Sequence, residues 1–187
     1  MQQRPIIALL PGSRKQEVAV KLPIMLAVVN DFPDYQFIIA GAPSLEKEFY
    51  STFLKSSNVK VIYNDTYNLL NNSQAALVTS GTATLETALF KVPQVVCYKG
   101  SALSYQIAKK LIKVKYISLV NLIADEEVVT ELIQSRLTPE NLKVELTKLI
   151  DVNYTKLLQL KYEHLTHLCG AGGASKNAAD YIFKNLN

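Results

Sequence analysis

Cysteine and histidine are scarce, two of each in 187 residues, and no long apolar run is present. Cys97 and Cys169 are too few and too unpatterned for a disulfide framework, which points to a reducing compartment. Cys97 lies inside the apolar run Gln94-Val95-Val96-Cys97-Tyr98 and reads as a small buried hydrophobe. His164 and His167 have a spacing a metal can use, but no thiol or carboxylate cluster accompanies them, so no metal site is read. No apolar stretch reaches the roughly 18 residues that a membrane-spanning helix needs. Residues 1–4 are not followed by an apolar stretch of signal-peptide type. A strand-like run begins almost at once, which suggests more protein upstream. The phosphate-binding pattern Gly-x-x-x-x-Gly-Lys-Ser/Thr is missing, which argues against a P-loop nucleotidase. Nor does Gly-x-Gly-x-x-Gly follow the first strand, which argues against a dinucleotide dehydrogenase. Gly170-Ala171-Gly172-Gly173 comes near that pattern but has no strand before it, and reads as a connector between helices.

What is present is an ordinary globular composition, with 49% hydrophobic and 19% charged residues. The net charge of +4 is too small to argue for nucleic-acid binding. It suits a protein that handles anionic substrates or rests on an acidic membrane surface.

Short apolar runs alternate with longer amphipathic ones. Strands are expected at 5–10, 35–40, 59–63, 75–79 and 94–98. Helices are expected at 15–30, with Pro23 as a kink, then at 45–54 behind a Ser44 cap, at 67–71 and at 82–90. Strands spaced in this way, each followed by a helix, imply right-handed βαβ units and a parallel sheet. Their continuous apolarity implies helices on both faces. The fold class is α/β and Rossmann-like. Beyond Tyr98 helices are expected at 102–112 (basic on one side), 138–150, 153–168 and 174–186. Thr138-Pro139-Glu140 opens the second of these with a cap, a proline and an acidic first turn. The division expected is 1–150 for the sheet domain and 151–187 for C-terminal helices, packed on it or on a missing partner.

Ligands of open parallel sheets bind beyond the carboxyl ends of the strands. Two loops there are unusual. In Leu10-Pro11-Gly12-Ser13-Arg14-Lys15-Gln16-Glu17, Gly12 permits close backbone approach, and Arg14 at a helix start can fork two phosphate oxygens. The plainer alternative is a β–α turn with a solvated Arg14. In Thr79-Ser80-Gly81-Thr82-Ala83-Thr84-Leu85-Glu86, small residues expose backbone N–H groups at a positive helix end, a cradle for phosphate. Glu86 lies one turn further on. A Ser/Thr capping box explains part of that run but not all of it.

These segments, taken in order, resemble the lipid-A-disaccharide synthase family, glycosyltransferases of the GT-B fold. The resemblance rests on Leu9-Leu10-Pro11-Gly12-Ser13-Arg14 with Glu17-Val18, and on Ser80-Gly81-Thr82-Ala83-Thr84-Leu85-Glu86. It continues through Val92-Pro93-Gln94-Val95-Val96 with Tyr98-Lys99, and through the stretch from Ala108 to Leu119. Asn121-Leu122-Ile123-Ala124 and Gly172-Gly173-Ala174-Ser175 complete it. Val120 and Asp125 stand where the family usually has Pro and Gly. Length departs as well, since the family has two Rossmann-like halves and this chain resembles the second.

The resemblance implies transfer of 2,3-diacylglucosamine from UDP to 2,3-diacylglucosamine 1-phosphate, with inversion, in lipid A biosynthesis. It implies no cofactor and no bound metal. Gly12, Ser13 and Arg14 would contact the diphosphate, and Ser80, Gly81, Thr82, Ala83 and Thr84 would cradle it. Glu86 would bind the ribose, and Glu17 would hold Arg14 or a sugar hydroxyl. Asn121 would contact the donor or shape the cleft, and the 63–66 loop is a candidate for the uracil. The general base would lie in the N-terminal half, so this chain alone would bind UDP without turnover. Partners implied are the UDP-diacylglucosamine donor, the lipid acceptor, the N-terminal half and a membrane surface, on the cytoplasmic face of the inner membrane. A homodimer is compatible with all of this. The alternatives are another GT-B enzyme (a peptidoglycan N-acetylglucosaminyltransferase or a UDP-sugar epimerase), a non-catalytic nucleotide-sugar module, and a flavodoxin-like domain. The Arg14 and Glu86 loops argue against the last.

Overall fold

The computed structural model describes residues 4–54, 59–100, 115–170 and 172–185. Its first half repeats a strand and a covering helix. Strand β1 (Ile6–Leu10) leads to α1 (Lys15–Leu26), β2 (Gln36–Gly41) to α2 (Lys47–Ser51), and β3 (Lys60–Tyr63) to α3 (Thr66–Asn71). Strand β4 (Ser73–Thr79) leads to α4 (Thr82–Leu89), then β5 (Gln94–Tyr98) follows. The remainder is α5 (Leu119–Ala124), β6 (Glu131–Ile133), α6 (Pro139–Leu149), α7 (Val152–Cys169) and α8 (Ala174–Asn185). The basic helix expected at 102–112 lies outside the described residues.

All six strands are parallel, in the order β3-β2-β1-β4-β5-β6. This is the doubly wound arrangement expected from the strand spacing. The order reverses direction between β1 and β4, which opens a crevice at their carboxyl ends. Leu9 pairs with Leu77, and Leu10 with Val78, so the loops leaving the two strands emerge side by side.

Alternation along the strands splits the core between the two faces of the sheet. Ile7 and Leu9 join the larger cluster, with Leu22 and Met25 of α1, Leu142 and Leu146 of α6, and Leu158, Tyr162 and Leu165 of α7. Ala8 and Leu10 face the smaller cluster, with Leu69 and Leu70 of α3 and Val78. Each fully buried leucine contributes about 1.5–3 kcal/mol from apolar surface removed from water. Helix α7 therefore shares the main core, whereas α8 has no buried residue.

Three local expectations are corrected. Helix α1 ends at Leu26, not at residue 30; Pro23 lies inside it, and Val29–Asp31 forms a separate 3-10 turn. Pro23 lacks the N–H that would bond back one turn, which weakens the ladder ahead of it. Ser44 does not cap α2. Its hydroxyl donates to the Ser13 carbonyl (3.2 Å), and Glu46 holds the cap position. Strand β6 and helix α5 were not foreseen. Elsewhere the cap chemistry is as expected: Thr138 accepts from the Asn141 N–H, with Pro139 in the first turn of α6.

Candidate functional site

The loops after β1, β2 and β4 surround one cleft of about 490 Å³. Gly12, Ser13, Arg14 and Glu17 form one wall. Thr79, Ser80, Gly81, Thr82, Ala83 and Glu86 form the opposite wall.

Each wall contains a glycine in a conformation that favours glycine, Gly12 at φ 115° and Gly81 at φ 124°. At Gly12 a Cβ would lie 2.7 Å from Glu17 Oε2, so the carboxylate rests directly on the turn. Gly81 is the N-cap of α4, and no side chain accepts the amides of its first turn. The capping-box alternative is therefore not what forms. Thr84 turns its hydroxyl back onto the Gly81 carbonyl (2.7 Å) and is fully buried. Helix α1 likewise starts at Arg14 without a side-chain cap. Two uncapped helix ends with their partial positive charge thus flank the same cleft.

The side chains add charge. Arg14, 82% exposed at the rim, donates Nη1 to Glu17 Oε1 at 3.0 Å. Glu17 Oε2 lies 3.7 Å from the Nζ of Lys21, whose side chain is only 3% exposed. Lys21 also donates to Thr79 Oγ1. Burial pushes the Lys21 ammonium below its ordinary value, while the charge of Glu17 pulls it back up. Nearby, burial pushes the Cys97 thiol up to about 12, so it stays neutral and does not offset Lys21. Glu86 accepts a long bond from the Tyr67 hydroxyl, 3.5 Å. The arrangement offers backbone N–H groups and one forked cation to an anion, with a carboxylate at each side to take hydroxyl protons.

Nine of the eleven expected site residues meet at this cleft: Gly12, Ser13, Arg14, Glu17, Ser80, Gly81, Thr82, Ala83 and Glu86. Thr84 supports the Gly81 turn from below. Asn121 is not among the residues that line the cleft. It is fully buried, donates to the Val129 carbonyl and Glu131 Oε1, and accepts from the N–H groups of Val128 and Val129. Its amide is used up within the protein, which leaves the shaping of local structure as its role. Of the 63–66 loop only Thr66 reaches the cleft, while Tyr63 lines a separate hollow with Lys47, Tyr50 and Leu54. Sequence reasoning missed Lys21, which lies against Glu17 and Thr79, and the Ala40-Gly41-Ala42-Pro43 turn that lines the cleft. Lys21 follows Glu17 by four residues, a pairing readable on a helix, but its burial was not readable.

Among the described residues, no group of three or more His, Cys, Asp or Glu side chains is placed to hold a metal ion. No helix among them is long and apolar enough to cross a membrane.

Solved structures sharing this architecture include the calicheamicin glycosyltransferase (TM-score 0.61, 15% identity, covering 97% of this chain and 43% of that one). Another is the UDP-GlcNAc 2-epimerase from Neisseria meningitidis bound to UDP-GlcNAc (TM-score 0.55, 18% identity, 98% and 45%). At such identities they speak for the fold alone. The lipid-A-disaccharide synthase of Coxiella burnetii (strain CbuG_Q212) is 39% identical over 184 residues, 96% of this chain and 49% of that protein. That of Syntrophus aciditrophicus (strain SB) is 39% identical over 181 residues, 92% and 47%. The chain therefore spans about half the length of the curated relatives it matches. A family model described as lipid-A-disaccharide synthetase matches residues 1–181, and the chain belongs to that family.

Proposed function

We propose that the chain is the donor-binding half of a lipid-A-disaccharide synthase. It binds the UDP of UDP-2,3-diacylglucosamine while that sugar passes, with inversion, to the 6-hydroxyl of 2,3-diacylglucosamine 1-phosphate. The observation that carries this reading is the single cleft bounded by Gly12–Glu17 on one side and Thr79–Glu86 on the other. Two uncapped helix starts and Arg14 converge there on the place where a diphosphate would sit. As UDP leaves, negative charge grows on its phosphates, and fixed N–H dipoles and a guanidinium stabilise that charge without reorganising. Glu86 takes the ribose hydroxyls. Thr66 and the Ala40–Pro43 turn are nearest to where the base would extend. The general base for the acceptor hydroxyl belongs to the N-terminal half, so this chain alone binds and does not turn over.

Both proposed substrates are amphiphiles, which supports a peripheral position on the cytoplasmic face of the inner membrane. Residues 1–150 are the UDP-sugar-binding unit, and 151–187 supply C-terminal helices, of which α7 packs on it and α8, with no buried residue, is left for the other half.

Titration calorimetry with UDP, against ADP and NAD, tests the reading. UDP should bind selectively. Arg14→Ala and Glu86→Ala should each weaken it roughly ten- to a hundredfold, the value of a charge-assisted hydrogen bond. Equal binding of ADP and UDP, or indifference to both substitutions, would count against it.

A further inference from the structure

Lys21 is a buried cation to which the binding scheme above gives no task. Its ammonium lies beneath the cleft and touches both walls. It donates to Thr79 Oγ1, where β4 runs into the second loop, and faces Glu17 Oε2 at 3.7 Å on the first. Glu17 in turn holds Arg14 through its other oxygen and rests against the Gly12 turn. Without Lys21 the first wall would present an Arg14–Glu17 pair of zero net charge. A carboxylate facing an incoming diphosphate would then repel it. With Lys21 the cluster carries one positive charge, set inside a poorly hydrated region where its field is weakly screened.

We propose that Lys21 is a positioning residue for the diphosphate. It neutralises Glu17 from below, ties the two walls together, and so frees Arg14 for the ligand. When the phosphates engage Arg14, Glu17 stays with Lys21 and does not swing toward them. The assignment rests on the donor-site reading, and the ligand class is a nucleoside diphosphate held by charge rather than by contact with this lysine.

UDP affinity is measured by calorimetry on the whole chain, with thermal melting to verify the fold of each variant. Lys21→Met, which suits a buried apolar setting, should weaken UDP about tenfold, as loss of a close charge partner does. Lys21→Gln, which keeps a donor for Thr79 but no charge, should match it. Adding Glu17→Gln to Lys21→Met removes the uncompensated carboxylate, and the double variant should bind UDP about threefold more tightly than Lys21→Met alone, a partial and non-additive recovery expected of coupled neighbours. Three results would overturn the role of Lys21: full affinity in Lys21→Met, full affinity in Lys21→Gln, or a double variant weaker than Lys21→Met alone. Failure of the unaltered chain to bind UDP would remove the donor-site reading and this inference with it.

Discussion

Gly12 and Gly81 share a positive φ but differ in what surrounds them. An added Cβ at Gly12 runs into Glu17 Oε2, whereas at Gly81 it meets nothing within 4 Å. Gly81→Ala should therefore cost only backbone strain, about 1–2 kcal/mol. Gly12→Ala should cost that plus displacement of Glu17, and should loosen Arg14. Urea denaturation compares the two in stability, and UDP titration shows whether Gly12→Ala binds more weakly. Cys97 gives a second test at this scale. Its folded-state value near 12 lies above the ordinary 9.0, so the folded state holds a proton the unfolded chain releases. The contribution is fully present below about pH 9 and is lost as pH rises toward 12, at up to about 1.4 kcal/mol per pH unit. Denaturation between about pH 9 and 10.5 should show a shallower decline for Cys97→Ala. In the native protein a thiol reagent should label exposed Cys169 and leave Cys97 untouched.

At the scale of elements, α5 and β6 are held by one buried polar knot. Glu131 accepts from the Ile117 and Ser118 N–H groups, the Ser118 hydroxyl and the Asn121 amide. Asn121→Ala would strand the Val128 and Val129 N–H groups and should cost about 2–4 kcal/mol. UDP affinity of the folded fraction should change less than about threefold, since Asn121 does not line the cleft. Calorimetry below the melting transition checks this. The same knot shows where sequence reading stops. Strands β1 to β5 were legible because each is a mainly apolar run beside a turn signal. Strand β6 is three residues long and starts with a buried carboxylate that only becomes tolerable through donors ten or more residues away. The cleft loops were legible because glycine, small residues and a helix start are neighbours in the chain. Lys21 and the Ser44 hydroxyl were not, because Thr79 and the Ser13 carbonyl reach them only through the fold.

For the whole molecule, the two last helices contribute differently. Leu158, Tyr162 and Leu165 of α7 are buried in the main core, whereas α8 presents Tyr181, Ile182 and Phe183 to solvent. Ending the chain after Gly170 should change unfolding free energy by less than about 1 kcal/mol, the usual size for surface changes. Tyr162→Ala should cost about 3–5 kcal/mol. Thermal melts of the two variants distinguish them, and a large loss on removing α8 would show that it packs on this half after all.

The pairing of β1 with β4 has one further consequence, for how the protein acquires its site. The two strands lie side by side but are separated in the chain by β2, β3 and the helices between them. During synthesis the Gly12 turn is made long before the Gly81 turn that completes the cleft, and no local hairpin can bring them together. Closing so long a loop is the slow kind of step in folding. On the proposed reading, a nucleotide would recognise only chains whose sheet has already zipped through its centre. Its binding energy would fall on that late species alone and draw the population toward it by mass action.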